Sequence, residues 1–448
     1  MASELTLQQR WLVLAMGLVM GVVLFDESAV AIALPDLRHN LGLTPVQATW
    51  VISAYLLTLS ACVAACGRIA DLVGLRRAAL AGCALFGAMS ALAAMSTGFA
   101  WLITARVLQG LGAAIAFPVT SAVLRGTLPL PALGQALGYL GLASSLGLTA
   151  GPLLGGVLTG LFGWRAVFLA SLPVVLLAIA LILRHLPPSA PGRRAGPLDR
   201  PGLALLLLAV GSLVAALMQG PAWGWRSPRT LALAVTGAAA AALFLRRERR
   251  TGNPLIELDL FAAPSFGTAN LMTLLAQFAK TPVVIYGPLL LIDRLGFSPS
   301  AAGLALLPGA VAAMPAGPGI GRLSDRTGAR APLLTCLLLV VLALAWLGIT
   351  QPLGSYPWLL PGLIVWGVAN TGVFVCSRRG VQASAPADKA GQASGINATA
   401  QWLGAALSVP ALGVFVVRTP PGFTALFLAA ALVLALALAA AWRGFERP

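Results

Sequence analysis

The chain has 448 residues, 59% hydrophobic and 9% charged, with a formal net charge of +16 and a mean hydropathy of +0.91. So little polar surface cannot cover a water-soluble globule, which excludes a soluble domain and points to a membrane. Lys and Arg are strung singly and in pairs between apolar runs rather than gathered with aromatics on one face, which excludes a nucleic-acid partner.

About 20 apolar residues cross a hydrocarbon core. Between charged punctuation the sequence offers fourteen such spans, near 11–34, 46–66, 79–98, 101–124, 133–160, 164–183, 202–220, 229–245, 265–292, 301–320, 331–350, 356–376, 390–416 and 421–442. Placing the N-terminus in the cytoplasm puts most of the 29 Lys and Arg on that side, leaves Arg106 and Lys280 within spans, and puts both termini inside. Met1 to Arg10 then reads as the approach to a first transmembrane helix rather than a cleavable signal.

Span 1 contains "LVMGVVLFDESAVAIALP", residues 18–35, with Asp26 and Glu27 side by side. An acid at bilayer depth costs about 2.5–3.5 kcal/mol on insertion scales, so the two must be neutralised or sheltered. Successive helical residues are about 100° apart, so the two acids face different neighbours. Glu27 is therefore either a second proton or cation site or a group turned toward a neighbouring helix. Span 2 supplies Tyr55 as a candidate for a cavity wall, and Cys62 and Cys66 four residues apart, which read as packing residues ahead of a metal pair. All five Cys lie in spans, and the only histidines, His39 and His185, lie beside loops, so neither a disulfide framework nor a His-based centre is expected.

Between spans 2 and 3 stands "GRIADLVGLRR", residues 67–77, where Asp71 sits among Arg68, Arg76 and Arg77, with Gly67 and Gly74 flanking the acid. A carboxylate there can pair with guanidinium groups and bond the free amides of a helix end, forming a latch on the cytoplasmic side. Arg106 lies five residues into span 4, at a depth that matches Asp26 in span 1. A contact between them lowers the cost of both. In span 5, Gly147, Gly151 and Gly155 recur every four residues, a spacing that admits close helix approach, with Gly156 adjoining and Pro152 bending the helix.

The stretch "RHLPPSAPGRRAGPLDRP", 184–201, is a Pro-, Gly- and Arg-rich linker, and "RRERRTGNPLIELDLF", 246–261, is expected to lie along the membrane surface. Span 9 carries Asn270, Thr273, Gln277 and Lys280 at helical spacing, a polar stripe expected to line a cavity. Asn370, Asn397, Gln401 and Trp402 are further candidates for that wall, with Met218 and Gln219 behind them.

The chain also repeats itself. Gly67, Arg68, Asp71, Gly74 and Arg76 return 254 residues later as Gly321, Arg322, Asp325, Gly328 and Arg330, and Thr44-Pro45 returns as Ser298-Pro299. "GQALG" at 134–138 returns as "GQASG" at 391–395, an offset of 257. A duplication of six spans, with spans 7 and 8 inserted, accounts for the offset. The expected domains are 1–186, a six-helix bundle; 187–259, the linker and inserted pair; and 260–448, the second bundle. Parallel-repeat transporters bind substrate between their halves and rock one against the other. At an offset of 254, Lys280 falls opposite Asp26, provided nothing is inserted between Pro35 and Thr44.

Three stretches in order, "GRIADLVGLRR", "ARVLQGLGAA" at 105–114 and "GLTAGPLLGG" at 147–156, resemble motifs of the major facilitator superfamily, and specifically its fourteen-span drug:proton antiporter branch, the EmrB/QacA type. "DESAVAIALP" resembles the branch's span-one signature, with Ser28 where Thr is usual and Ala31 where Asn is usual. "WGWRSP" at 223–228, "NPLIELDLF" at 253–261 and "GFSPSAAGLALLPGA" at 296–310 extend the resemblance through nearly the whole chain.

The resemblance implies an all-α integral membrane protein of major facilitator fold, with two six-helix bundles in parallel repeat plus two inserted helices. It further implies a proton-coupled efflux antiporter of the bacterial inner membrane, without cofactor or metal, in which Asp26 and Arg106 couple protons; Glu27, which the family pattern does not demand, stands beside them as a second candidate for proton coupling. Residues 67–77 then form the gating loop, and Gly147, Gly151, Pro152, Gly155 and Gly156 the antiporter motif. Expected partners are a small amphipathic substrate, protons and the bilayer; a monomer is expected, and the need for a periplasmic adaptor stays open. Lys280 is outside the family pattern and keeps open a proton symporter or facilitator for an anionic or zwitterionic metabolite or lipid. An enzyme or receptor is not expected, since the chain has no nucleotide-binding glycine loop with its lysine, no metal-ligand cluster and no long hydrophilic segment.

Overall fold

The computed structural model describes residues 6–128, 130–188, 199–252, 254–256, 258–384, 390–418 and 422–444. Among these residues are 14 helices long and apolar enough to cross a membrane, and the chain is a multi-pass membrane protein. They are α1 (Leu7–Asn40), α2 (Pro45–Val73), α3 (Leu75–Ala94), α4 (Phe99–Thr127), α5 (Leu130–Phe162), α6 (Arg165–His185) and α7 (Arg200–Trp223). There follow α8 (Pro228–Glu248), α9 (Pro264–Val284), α10 (Pro299–Thr327), α11 (Arg330–Thr350), α12 (Tyr356–Ser384), α13 (Ala390–Arg418) and α14 (Gly422–Gly444). A short 3-10 turn at Leu258–Ala262 precedes α9.

The helices overshoot the apolar spans because their ends are capped by polar residues that hydropathy ignores. Thr6 accepts from the Gln9 amide while Gln9 bonds back to Thr6, so α1 begins four residues before the expected 11. Thr44 and Gln47 make the same reciprocal box ahead of Pro45 at the first turn of α2, and Ser298 caps α10 ahead of Pro299. Nor is there a loop between α2 and α3: Gly67, Arg68 and Asp71 lie within α2, and Gly74 alone, at φ +94°, separates it from α3.

The chain forms two compact units, Met1–Leu203 and Ala204–Pro448, which divide within α7. In the first, α1 packs on α5, α6 and α4, α4 packs on α2 and α3, and α3 on α6. In the second, α9 packs on α13, α14 and α12, α12 packs on α10 and α11, and α11 on α14. Pairing α1–α6 with α9–α14 in order makes the two patterns the same. The duplication extends to single turns: Gly42 and Gly296 both have positive φ, as do Gly74 and Gly328, each pair 254 residues apart. Gly110 packs on the Tyr55 backbone, where a Cβ would meet the carbonyl oxygen at 2.6 Å, and Gly367 packs likewise on Gly309 at the repeat-related positions. The inserted α7 and α8 form a hairpin turned at Gly224, with Gly237 of α8 set against Leu213.

Gly328 has φ +79° and ψ 165°, a region essentially reserved for glycine. Gly328→Ala is expected to cost about 1–3 kcal/mol, read as a lowered thermal unfolding midpoint of the purified protein, although no atom stands where its Cβ would go.

Candidate functional site

In the first unit, four helices converge on one buried polar cluster. Asp26 of α1 is 2% exposed and Arg106 of α4 is fully buried. Arg106 Nη1 donates to Asp26 Oδ2 at 2.7 Å and to Gln109 Oε1 at 2.6 Å, and Nε donates to the Val51 carbonyl of α2 at 2.9 Å. Gln109 Nε2 in turn donates to Asp26 Oδ1 at 3.0 Å and to Ser90 Oγ of α3 at 2.7 Å. The guanidinium lies 4.3 Å from the centre of the Tyr55 ring and 5.7 Å from that of Phe168. Tyr55 donates its hydroxyl to the Val23 carbonyl at 3.3 Å, so it braces α2 against α1 as well as carrying the cation.

This arrangement shelters both charges. The carboxylate accepts two charge-assisted bonds, one of them from a cation, while the guanidinium has a carbonyl, an amide oxygen and an aromatic face besides its counter-ion. Besides Asp26, then, the partners of Arg106 are neutral, while its Nη2 has no hydrogen-bond partner among the described residues. The amide of Gln109 is held one way round: its oxygen faces the cation and its NH2 faces the anion. Gln109→Leu removes three of these contacts and leaves Asp26 Oδ1 without that donor. The expected cost is about 1–3 kcal/mol, measured by thermal unfolding in detergent.

Gln109 and Ser90 were not among the residues expected here. Gln109 was legible, since it stands one helical turn after Arg106 and so on the same face. Ser90 was not, since a lone serine in an apolar span reads equally well as packing. Glu27 is buried next to Asp26, 2% exposed.

The expected cavity residues of the second unit divide into two sets. Asn397 of α13 donates to Thr273 Oγ1 at 2.8 Å and to Asn270 Oδ1 at 3.3 Å, while Asn270 and Thr273 bond back to the carbonyls of Phe266 and Ala269 on α9. These three stitch α9 to α13. Further along α9, Gln277 and Lys280 are buried, as are Asn370 of α12 and Trp402 of α13; Gln401 is half-buried. Asn370 Oδ1 and Gln401 Oε1 have no hydrogen-bond partner among the described residues.

The match of Lys280 with Asp26 is corrected by the backbone of span 9. The span breaks at Ile285, after α9, resumes over Tyr286–Leu289 and ends in a π turn, Leu290–Arg294, where Leu295 N–H bonds to Leu290 O, whereas Leu41 N–H in the first half bonds to Leu37 O. A π turn holds one extra residue, so before it the offset is 253. Packing agrees. Gly147 abuts the backbone of Gly21 as Gly404 abuts that of Leu274, and Gly151 abuts Ser28 where Ser408 bonds Thr281. Lys280 is thus the counterpart of Glu27, and Ala279 that of Asp26. The Gln109–Asp26 contact has its counterpart in Trp366, whose indole N–H donates to the Ala279 carbonyl at 3.1 Å. The second unit keeps the joint and discards the charge.

Of the expected gating residues, Arg76 Nη2 donates to the Leu183 carbonyl at 2.6 Å, tying α3 to α6, and Arg77 is exposed. The side chains of Arg68 and Asp71 lie outside the described residues, so the latch expected of them falls there too. A Cβ on Gly67 would meet Pro118 of α4 at 3.7 Å, ordinary contact. In span 5, Gly147, Gly151 and Gly155 all face α1; a Cβ on Gly155 would lie 2.9 Å from Ala29 Cα, and Pro152 and Gly156 are buried beside them.

Residues 16–409 match the family described as the Major Facilitator Superfamily. The chain is 33% identical to the multidrug resistance protein Stp of Mycobacterium tuberculosis over 89% of this chain and 74% of that one. It is 32% identical to the methyl viologen resistance protein SmvA of Salmonella typhimurium over 92% and 83%. Among solved structures it resembles a POT family transporter in complex with a thioalcohol-conjugated peptide, with a TM-score of 0.73, 13% identity, and coverage of 96% of this chain and 95% of that chain.

Proposed function

The chain belongs to the major facilitator superfamily of membrane transporters, and from that premise we propose that it is a proton-driven exporter of amphipathic compounds in the bacterial inner membrane, with both termini cytoplasmic. The substrates are drugs or a natural product of the same cell, as the names of the resistance proteins it resembles support. The observation that carries the coupling is the buried Asp26–Arg106 pair with its neutral surroundings. A proton arriving from outside binds the Asp26 carboxylate, the ion pair weakens, and Arg106 stays charged on the Val51 carbonyl, Gln109 and the Tyr55 ring. Release of the proton to the cytoplasm restores the pair, and alternating access links the two states to opposite sides of the membrane. Glu27 is a second acid for protons or for a cationic substrate group, and the protein works as a monomer.

The test is proton release from inverted vesicles, followed with a pH-sensitive dye against a panel of cationic, zwitterionic and anionic amphiphiles. Collapse of the proton gradient on adding a substrate supports antiport. A substrate carried at the same rate with and without the gradient refutes it. Lys280, buried on α9 where Glu27 stands on α1, favours a second reading, a proton symporter or facilitator for an anionic or zwitterionic metabolite or lipid. Uptake of an anionic member of the panel along with protons would select that reading.

A further inference from the structure

α5 and α6 are joined by a two-residue turn that α1 holds in place. Asp36 Oδ2 accepts from the Trp164 backbone N–H at 2.9 Å, and Asn40 Oδ1 accepts from the Trp164 indole at 3.2 Å. Beyond this clamp the two helices touch each other little, although each packs along α1. The wedge between them is a cavity of about 980 Å³, at the upper end of the range for ligand pockets. It is lined from Arg10 to Phe25 along α1, from Tyr139 to Leu154 along α5, and by Ala170 and Val174 of α6. Gly17 and Gly21 form its floor, and Leu142 and Leu146, half exposed, form one wall.

At about 1.5 Å per residue, Arg10 to Phe25 spans about 22 Å, longer than the half-thickness of a hydrocarbon core of about 30 Å. An acyl chain whose head lies at Arg10 fits entirely along it. That end is basic. Gln8 of α1 donates to the His185 carbonyl and Trp11 stacks on the His185 ring, which holds the end of α6 to the same end of α1 as Arg10. Arg76 is bonded to Leu183 at the same end. Lipid tails gain no hydrophobic energy by leaving the bilayer for an apolar wedge, so selection among occupants falls to the head group. Arg10 lining that end of the wedge, with Arg76 tied to the end of α6, selects an anion and disfavours a cationic amphiphile.

We propose that this wedge is a binding site for an anionic phospholipid, with one acyl chain along α1 between α5 and α6 and its head group at Arg10. The site is independent of the proton-coupling cluster, and its test involves no transport. The full chain is reconstituted in nanodiscs of equimolar phosphatidylglycerol and phosphatidylcholine, released into mild detergent, and its retained lipids are counted by native mass spectrometry. The parent is expected to retain phosphatidylglycerol over phosphatidylcholine by about threefold or more, and Arg10→Gln to lose most of that preference. Leu146→Trp, which fills the wedge, is expected to lower retention of both lipids. Should that variant not fold, phosphatidylglycerol with a photoactivatable acyl chain is expected to label the parent within residues 13–25 or 142–154. Equal retention of the two lipids by the parent, or labelling confined to other helices, overturns the proposal. So does displacement of the bound lipid by a cationic amphiphile equally well in parent and Arg10→Gln, which would make the wedge a site for transported compounds.

Discussion

Asp26→Asn is expected to reduce substrate-triggered proton release in inverted vesicles to background while the protein still inserts. Asparagine is nearly isosteric, but it has one acceptor oxygen where the carboxylate uses two, so its NH2 faces either the Arg106 or the Gln109 donor; it takes up no proton and leaves the guanidinium without its counter-ion. Removing one partner of a buried pair costs about 3–5 kcal/mol, so the variant should also unfold at lower temperature. Loss of stability alone could mimic loss of coupling, and a second substitution separates the two. Asp26→Asn combined with Arg106→Met removes the orphaned charge and replaces it with an apolar side chain of similar length, which in other buried pairs restores most of the stability. If Asp26 carries the proton, the double variant is stable and uncoupled. If the pair only fixes α1 against α4, stability and gradient-dependent transport return together, and the coupling assigned to Asp26 is wrong.

The contact between Asp26 and Arg106 was legible because both facts behind it are one-dimensional. Each residue's depth follows from its distance to the end of its span, and a buried charge needs a partner of opposite sign. The fourteen helices were legible for the same reason, since length and hydropathy are all that crossing a bilayer requires. What escaped was set by the backbone. The offset of 254 was read from turn residues such as Gly74 and Gly328, all of which lie beyond the π turn at Leu290–Arg294. A π turn has no sequence signature of its own, so the one-residue slip that pairs Lys280 with Glu27 showed only in the hydrogen bonds and the glycine contacts of the fold. The polar stripe of α9 was likewise identified as a stripe, but helical periodicity does not distinguish a face turned to a cavity from one turned to another helix. Asn270 and Thr273 face Asn397.

A large packing effect is expected at Gly147. Its Cα lies against the backbone of Gly21, so that any side chain would occupy the space of the Gly21 carbonyl, and backbone cannot yield as a flexible side chain can. Gly147→Val should therefore cost about 3 kcal/mol or more, the upper end of what overpacking costs, because α5 must move away from α1 along its whole contact. Gly141→Val, one and a half turns earlier where a Cβ meets nothing within 4 Å, should stay within about 0.5 kcal/mol of the parent. Comparative thermal unfolding of the two variants decides this, and equal midpoints would show that the glycine seam is not what holds the helices together. The second unit sharpens the point. Gly404, the counterpart of Gly147, abuts the Leu274 backbone in the same manner, so this glycine serves a packing need common to both halves. Gly151, Pro152 and Gly155 have Ser408, Val409 and Leu412 as counterparts, and Ser408 bonds Thr281 where Gly151 merely makes room for Ser28. What is peculiar to the first half therefore begins at Gly151. Gly151→Ser, which copies the second half, puts a Cβ 2.8 Å from that of Ser28, so it is expected to lower the unfolding midpoint, and transport by more than that loss of stability accounts for. A variant whose transport falls only in step with its unfolding midpoint would reduce this motif, too, to packing.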